Sequence, residues 1–434
     1  MSEAPKTTVR AWLALAGGAV ALFCTVGFLN AFGVFQEYYS TYLPGRSPSD
    51  ISWIGSLSIF LLYSISPLGG TLVDKMGPTI PLCVGSVGLV LSLFMTSLCT
   101  QYWQLILAQA LLLGISASLV FCPPLGVVMR HMPHRRGLAM GLTVGGSSIG
   151  GIIWPIMLQQ LLNKDGVSFG WTIRAIAFTM IPLLAFACVF VREPSRKPPA
   201  APATTIAVIE KTAGQAATTD EPAEAGSSTD ESPSQKHVES RTAFLRKPAY
   251  MLLCAGLSLT CLGLFTPLFY ISKYAIAEGQ PTSTAFYLLA AVNAASLFGR
   301  LVPGYLADTL GHFNLLIIST LSSGLVGFVW TKATTLAGLI VWSMAYGFTS
   351  GAVMSLQGAC AGKLAPPQAQ GIAVGVMMGF LSISSLIGTP ISGQILSRAG
   401  YLALSAWTGA TLLAGGAVTG AARFTVHREL LARY

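Results

Sequence analysis

One cation stands alone in the apolar part of this 434-residue chain. Arg300 follows Ala294-Ala295-Ser296-Leu297-Phe298-Gly299 and precedes Leu301-Val302-Pro303, and the next charged residue is Asp308. A guanidinium in hydrocarbon costs at least about 2.5 kcal/mol on insertion scales, which makes a functional role the default reading. The chemistry it offers is recognition: a planar, permanently charged fork of donors suits a carboxylate gripped by two hydrogen bonds. The structural alternative is pairing with Asp308 or with backbone carbonyls. Asn30, Gln109, Asn293 and Gln357 are amides inside apolar runs, and an unpaired amide in hydrocarbon costs several kcal/mol. Each is a candidate polar contact for a solute in a central cavity, and each is at least as good a candidate for glue between helices. Phe32 and Tyr63 are candidates for the apolar wall of that cavity.

Other chemistries lack their residues. There is no nucleophile–base pair, no nucleotide-binding loop and no set of metal ligands, so the chain reads as a non-enzyme without cofactor or metal. The eight cysteines are scattered, with no CxxC and no Cys/His pair at metal spacing. All 16 Asp and Glu fall in tails, loops or span ends. Proton-coupled carriers commonly use a carboxylate inside the membrane. Its absence weakens proton coupling and leaves the solute's own carboxylate, or an Asp at an inner span end, to carry the proton.

The elements that must position these residues are membrane spans. Charged residues are 9% of the chain, against about 25% in soluble proteins. Twelve apolar runs are long enough to cross about 30 Å of hydrocarbon: 11–35, 51–73, 80–99, 103–127, 137–162, 171–191, 249–272, 284–307, 313–331, 336–360, 371–396 and 401–422. The net charge of +9 follows topology and is no sign of nucleic-acid binding. Of the 25 Lys and Arg, six lie in expected outer loops (Arg46, Lys164, Arg174, Lys273, Lys332, Arg398), Arg300 lies in a span, and all others lie on the side of the termini. That bias places both termini in the cytosol. Arg130, His131, His134, Arg135 and Arg136 form a basic inner loop that sets topology and can touch lipid headgroups.

The spans repeat. Gly70, Leu72, Asp74 and Gly77 recur 234 residues later as Gly304, Leu306, Asp308 and Gly311. Gly137, Ala139, Gly141 and Gly145 recur at the same offset as Gly371, Ala373, Gly375 and Gly379, and Gln160 recurs as Gln394. Arg300 has no charged counterpart, because its echo is Ser66. An even number of spans separates the copies, so the expected fold is all-α, with two six-span bundles in the same orientation. The expected organisation is a tail at 1–10, a first bundle at 11–191, a disordered linker at 192–246, a second bundle at 247–422 and a tail at 423–434. Small residues four apart in the fifth span are expected to bring helices close. Ser49 or Asp50 is expected to cap the second span, Pro267 to break the seventh, and Asp74 to cap the next helix or pair with a base.

Gly70…Asp74-Lys75-x-Gly77 after the second span, with Asp308 in the repeat, resembles the inner-loop motif of the major facilitator superfamily. That likeness implies a gating role for Asp74, Lys75, Gly77 and Asp308. More narrowly, the chain resembles the fungal branch of the monocarboxylate-porter family. The matching pieces are Asn30-Ala-Phe-Gly33-Val-Phe35-Gln36-x-Tyr38-Tyr39, Ser52-Trp53-Ile54-Gly55-Ser56, Arg136-Gly-Leu-Ala139-x-Gly141 and Gly299-Arg300. The resemblance spans nearly the whole chain outside the tails and linker. It implies alternating-access transport of a small organic anion across the plasma membrane, with Arg300 on the carboxylate. Family carriers that move protons with lactate have a lysine where Val34 stands and an acid where Ser296 stands. Both departures count against proton–lactate symport. The fungal relatives carry varied cargo, and many are thought to export secondary metabolites.

The expected function is therefore secondary transport of a small or medium organic solute, carboxylate-bearing, with protons as a possible coupling partner and lipids as surroundings. The alternative is efflux of drugs, toxins or secondary metabolites by antiport. The fifth span resembles an antiporter motif but has Ser147 and Ser148 where that motif places a proline. A non-transporting sensor on the same fold is a third reading, disfavoured by the short tails.

Overall fold

The computed structural model describes residues 9–132, 136–193, 243–366 and 369–426. The central linker, apart from its ends, and the outermost residues of both tails lie outside them. Among the described residues, ten helices are long and apolar enough to cross a membrane. The shorter apolar helix His312–Phe328 supplies the ninth span. Gln370–Val426 is two spans, the eleventh and twelfth, because Gly400 turns with φ +75° between them. Twelve spans result, as the apolar runs predict.

The repeat is built residue for residue. The second span runs Pro48–Met76 and the eighth Thr282–Leu310, both 29 residues long and 234 apart. The described glycines with positive φ form three pairs at that offset: Gly45 and Gly279, Gly77 and Gly311, Gly166 and Gly400. Each ends a helix or turns a loop where the left-handed region is needed. The break in the seventh span, at Phe265 just before Pro267, is matched by a break at Ala31 in the first. Ala31 has no proline to announce it, and the sequence gives no sign of that interruption.

The cap of the second span is Ser47, two or three residues ahead of the expected Ser49 or Asp50. Ser47 Oγ accepts from the Asp50 backbone N–H at 3.1 Å, and Asp50 Oδ2 accepts from the Ser47 N–H at 3.0 Å. Pro48 at the first helical position lacks an N–H, so the reciprocal box forms around it. On the second bundle's side, packing begins earlier than the expected boundary at 247. Ala243–Arg246 forms a short 3-10 turn, with Phe244 buried 5.3 Å from the Tyr250 ring.

The glycine-rich fifth span does what its spacing suggests. A Cβ on Gly146 would fall 2.1 Å from the Ala19 carbonyl oxygen, and one on Gly150 2.4 Å from that of Phe23. The first and fifth spans therefore touch backbone to backbone. The matching glycines of the eleventh span are mostly unopposed. Gly371 and Gly379 have nothing within 4 Å, and Gly375 meets Pro67 of the second span.

Candidate functional site

The two bundles meet along three lines. The fifth span lies against the eighth, the second against the eleventh, and the helix Phe32–Tyr42 against Thr266–Ala277. Between them lies a tight cavity of about 20 Å³ whose walls include Asn30, Asn293, Ser296, Arg300 and Ser350. A second, still tighter chamber adjoins it, walled by Tyr63, Cys261 and Gln357 among others. Leu264, Phe265 and Met354 face both.

Five of the seven expected contact residues are thus brought together, from spans far apart in sequence. Arg300 is buried at 5% exposure. Its Nη1 donates to the Val144 carbonyl at 3.0 Å and to Ser147 Oγ, both on the fifth span of the other bundle. Its Nε has no partner among the described residues. No Asp or Glu lines either chamber. The guanidinium therefore sits desolvated, with two neutral acceptors and no carboxylate beside it among the described lining residues. About two helical turns along the same face, Asn293 Oδ1 accepts from Asn30 Nδ2 at 3.4 Å, and Asn293 Nδ2 donates to the Leu289 carbonyl. Gly151 leaves room for that pair, since a Cβ there would fall 2.3 Å from Asn293 Oδ1.

Gln109 and Phe32 do not line the cavity. Gln109 Oε1 accepts from the Tyr39 hydroxyl at 2.5 Å, and its carbonyl accepts from Ser58 Oγ at 2.9 Å. The fourth span widens to a π-helix over Ile106–Leu112 around it. The amide thus ties the first, second and fourth spans of one bundle, the packing alternative for a buried Gln. Gln109→Leu would leave the fully buried Tyr39 hydroxyl unpaired, at about 1–3 kcal/mol. A fall in Tm of a few degrees, with transport per folded molecule unchanged, is the expected result in a thermal melt and a vesicle flux assay.

Phe32 packs instead against Phe269 across the bundle interface, the rings tilted by 40° with centroids 4.9 Å apart. It belongs to a seal on the face opposite the termini. There Ser49 Oγ donates to the Pro390 carbonyl at 2.9 Å, Tyr270 donates to the Pro48 carbonyl at 3.4 Å, and Ser56 meets Thr389. The side chains of Asp74, Lys75 and Asp308 lie outside the described residues. Gly77 and Gly311 are seen to close the second and eighth spans with φ of +76° and +89°. At the termini side, Arg130 pairs with Glu193 at 3.3 Å, both about half exposed.

Sequence reasoning missed Glu37. It lies beyond the end of the first span, partly buried in the seal, with Oε2 unpartnered. Burial pushes its carboxyl above the ordinary value, and Lys273 of the other bundle opposes that shift. Tyr401 is also within electrostatic reach. Opening this face would hydrate Glu37 and return its carboxyl towards the ordinary carboxylate range. The closed form therefore binds the proton more tightly. Its advantage is fully present at acid pH and is lost as pH rises through the raised value. Spin labels at Thr41 and Ala277 are expected to sit closest at low pH and to separate as pH rises. Glu37→Gln should hold them close throughout, and a pH-dependent distance in that variant would assign the effect elsewhere.

Two parallel six-span bundles enclosing a charged, mostly apolar cavity form the architecture of a secondary transporter, in which sites lie at the repeat interface. The chain belongs to the Major Facilitator Superfamily, whose family model matches residues 13–389. An MFS-type transporter of Aspergillus fumigatus is 49% identical over 427 residues, 98% of this chain and 95% of its own length. The agnestins efflux protein of Paecilomyces divaricatus is 42% identical over 435 residues, 100% and 92% of the two chains. The aspyridones efflux protein of Emericella nidulans is 35% identical over 418 residues, 95% and 77% of the two chains. The protein is a transporter and not an enzyme.

Proposed function

We propose that this transporter exports an organic anion of secondary-metabolite size by alternating access across the plasma membrane, with both termini in the cytosol. The carrying observation is Arg300, a buried cation at the bundle interface with an unpartnered Nε and no carboxylate in either chamber. A solute bearing a carboxylate would supply the missing counter-charge. Its grip would compete with the bonds to Val144 and Ser147, and so tie occupancy to the relation between the bundles. Asn30, Asn293, Gln357 and Tyr63 would complete the contact set.

Efflux, rather than uptake of a small monocarboxylate, is favoured by the relatives named above, which include efflux proteins for agnestins and aspyridones. The excess of Lys and Arg on the side of the termini supports the orientation. Protons are the proposed coupling ion, loaded from the acid side.

The test is flux in reconstituted vesicles of known orientation, comparing lactate with agnestins and aspyridones, with and without a pH gradient. Movement of the larger compounds away from the termini side, faster with the gradient, is expected. Lactate flux without flux of the larger compounds would overturn the reading.

A further inference from the structure

The two chambers carry different chemistry, and each ends in a buried polar group that the protein leaves poorly satisfied. In the larger chamber that group is Arg300, through Nε. In the smaller it is Gln357, at 5% exposure. The only hydrogen bond found for its side chain among the described residues is a 4.0 Å contact from Nε2 to Met354 Sδ, too long and too weak to satisfy an amide. Buried amides normally find full partners. Thr260 of that chamber, by contrast, already donates to the Gly256 carbonyl at 2.9 Å. Leu264, Phe265 and Met354 form an apolar neck between the two ends.

The two chambers share that neck, so a single solute reaching from one polar end to the other must lay its body along it.

Resting on the transport reading above, we propose that the cargo is a two-ended amphipathic monoanion. One acidic group sits at Arg300, a flat apolar body lies against Leu264, Phe265 and Met354, and a neutral hydroxyl or carbonyl at the far end bonds Gln357. Gln357 is then a specificity-determining residue. It reads the end of the cargo opposite the charge, in a chamber with no charged side chain. A cargo with a second charge at that end would leave it desolvated and unpaired.

Binding to the purified full-length protein in nanodiscs tests this without any need for transport. The probes are benzoate, 2-naphthoate, 6-hydroxy-2-naphthoate and methyl 6-hydroxy-2-naphthoate. The 6-hydroxy acid is expected to bind about 3- to 10-fold more tightly than 2-naphthoate, the range of one buried neutral hydrogen bond. Benzoate and the ester should be weaker than both. Gln357→Leu should erase the hydroxyl advantage while leaving 2-naphthoate affinity within about twofold. Gln357→Met, which keeps the side-chain length, serves the same purpose if the leucine variant does not fold. Met354→Trp should block the neck and abolish naphthoate binding. Equal affinity for the two naphthoates in wild type, or a hydroxyl advantage that survives both Gln357 variants, would overturn the proposal. So would benzoate binding without naphthoate binding. Binding in the expected order with no flux in vesicles would sink the transport reading alone. Flux of a large anion that ignores Gln357 would sink the two-ended site alone.

Discussion

Arg300→Met should abolish flux of an anionic solute while leaving the protein as stable as wild type or more so. The two halves of this expectation come from different terms. Among the described residues Arg300 gives the fold two hydrogen bonds, to Val144 and Ser147. Against them stand an unpartnered Nε and a charge at 5% exposure with no carboxylate in the cavity. Replacing even a well-paired buried ion by an apolar side chain of similar volume is often neutral or stabilising, by about 1–4 kcal/mol. An ion without a counter-charge has less to lose. Transport rests on the interaction that Met cannot make. Two charge-assisted bonds to a carboxylate, at about 1.5–3 kcal/mol each, correspond to a loss of at least about 100-fold in kcat/KM. Arg300→Lys should recover little, because a point charge does not reproduce the two-pronged grip. A thermal melt and a flux assay on the same preparation decide the matter. If Tm falls and flux per folded molecule stays, Arg300 is a structural tie to the fifth span and the anion site lies elsewhere.

Arg300 was visible in the sequence because a charge in hydrocarbon is costly enough to need a reason. Gln357 and Asn293 were visible on the same ground, but their roles were not. An amide that holds helices together and one that waits for a solute look alike along the chain. Gln109 shows why. Its partner, Tyr39, is 70 residues away on another span, and no local pattern pairs them. Phe32 is a candidate cavity wall in the sequence only because it is aromatic. The break at Ala31 turns the following helix instead, so that Phe32 meets Phe269 across the seal.

The repeat was the most legible feature, because duplicated turns must keep the residues that make them. Gly77 and Gly311 hold the same left-handed bend at the ends of matching 29-residue helices. What duplication hides is difference. Arg300 replaces Ser66 in the second copy, and Glu37 sits where the first copy enters the seal. Both functional asymmetries are single residues against a background of likeness. Glu37 escaped notice because it lies just past an apolar run and reads as an ordinary loop acid until the second bundle covers it.

Closing the seal requires glycine at position 33, and Gly33→Ala is expected to hold that face open. A Cβ there would lie 2.2 Å from the Leu268 carbonyl oxygen and 3.3 Å from Leu289 Cδ2. The first atom belongs to a helix backbone on the other bundle, so it cannot swing aside as a side-chain tip would. Relief needs more than 1 Å of separation between Phe32–Tyr42 and Thr266–Ala277. That would also loosen the Phe32–Phe269 contact. Overpacking of this kind costs about 1–3 kcal/mol, a factor of roughly 5–150 between closed and open forms. Nothing opposes the methyl once the bundles part, and Ala is the better helix former. The substitution therefore penalises one conformer and spares the other. Cycling requires both, so flux should fall at least about 10-fold with Tm little changed. Labels at Thr41 and Ala277 should report the longer distance even at acid pH, overriding the preference that Glu37 confers. Gly420→Ala, where a Cβ meets nothing within 4 Å, is the matched control and should behave as wild type. Normal flux and a short label distance in Gly33→Ala would mean that this face does not open along the Gly33–Leu268 contact.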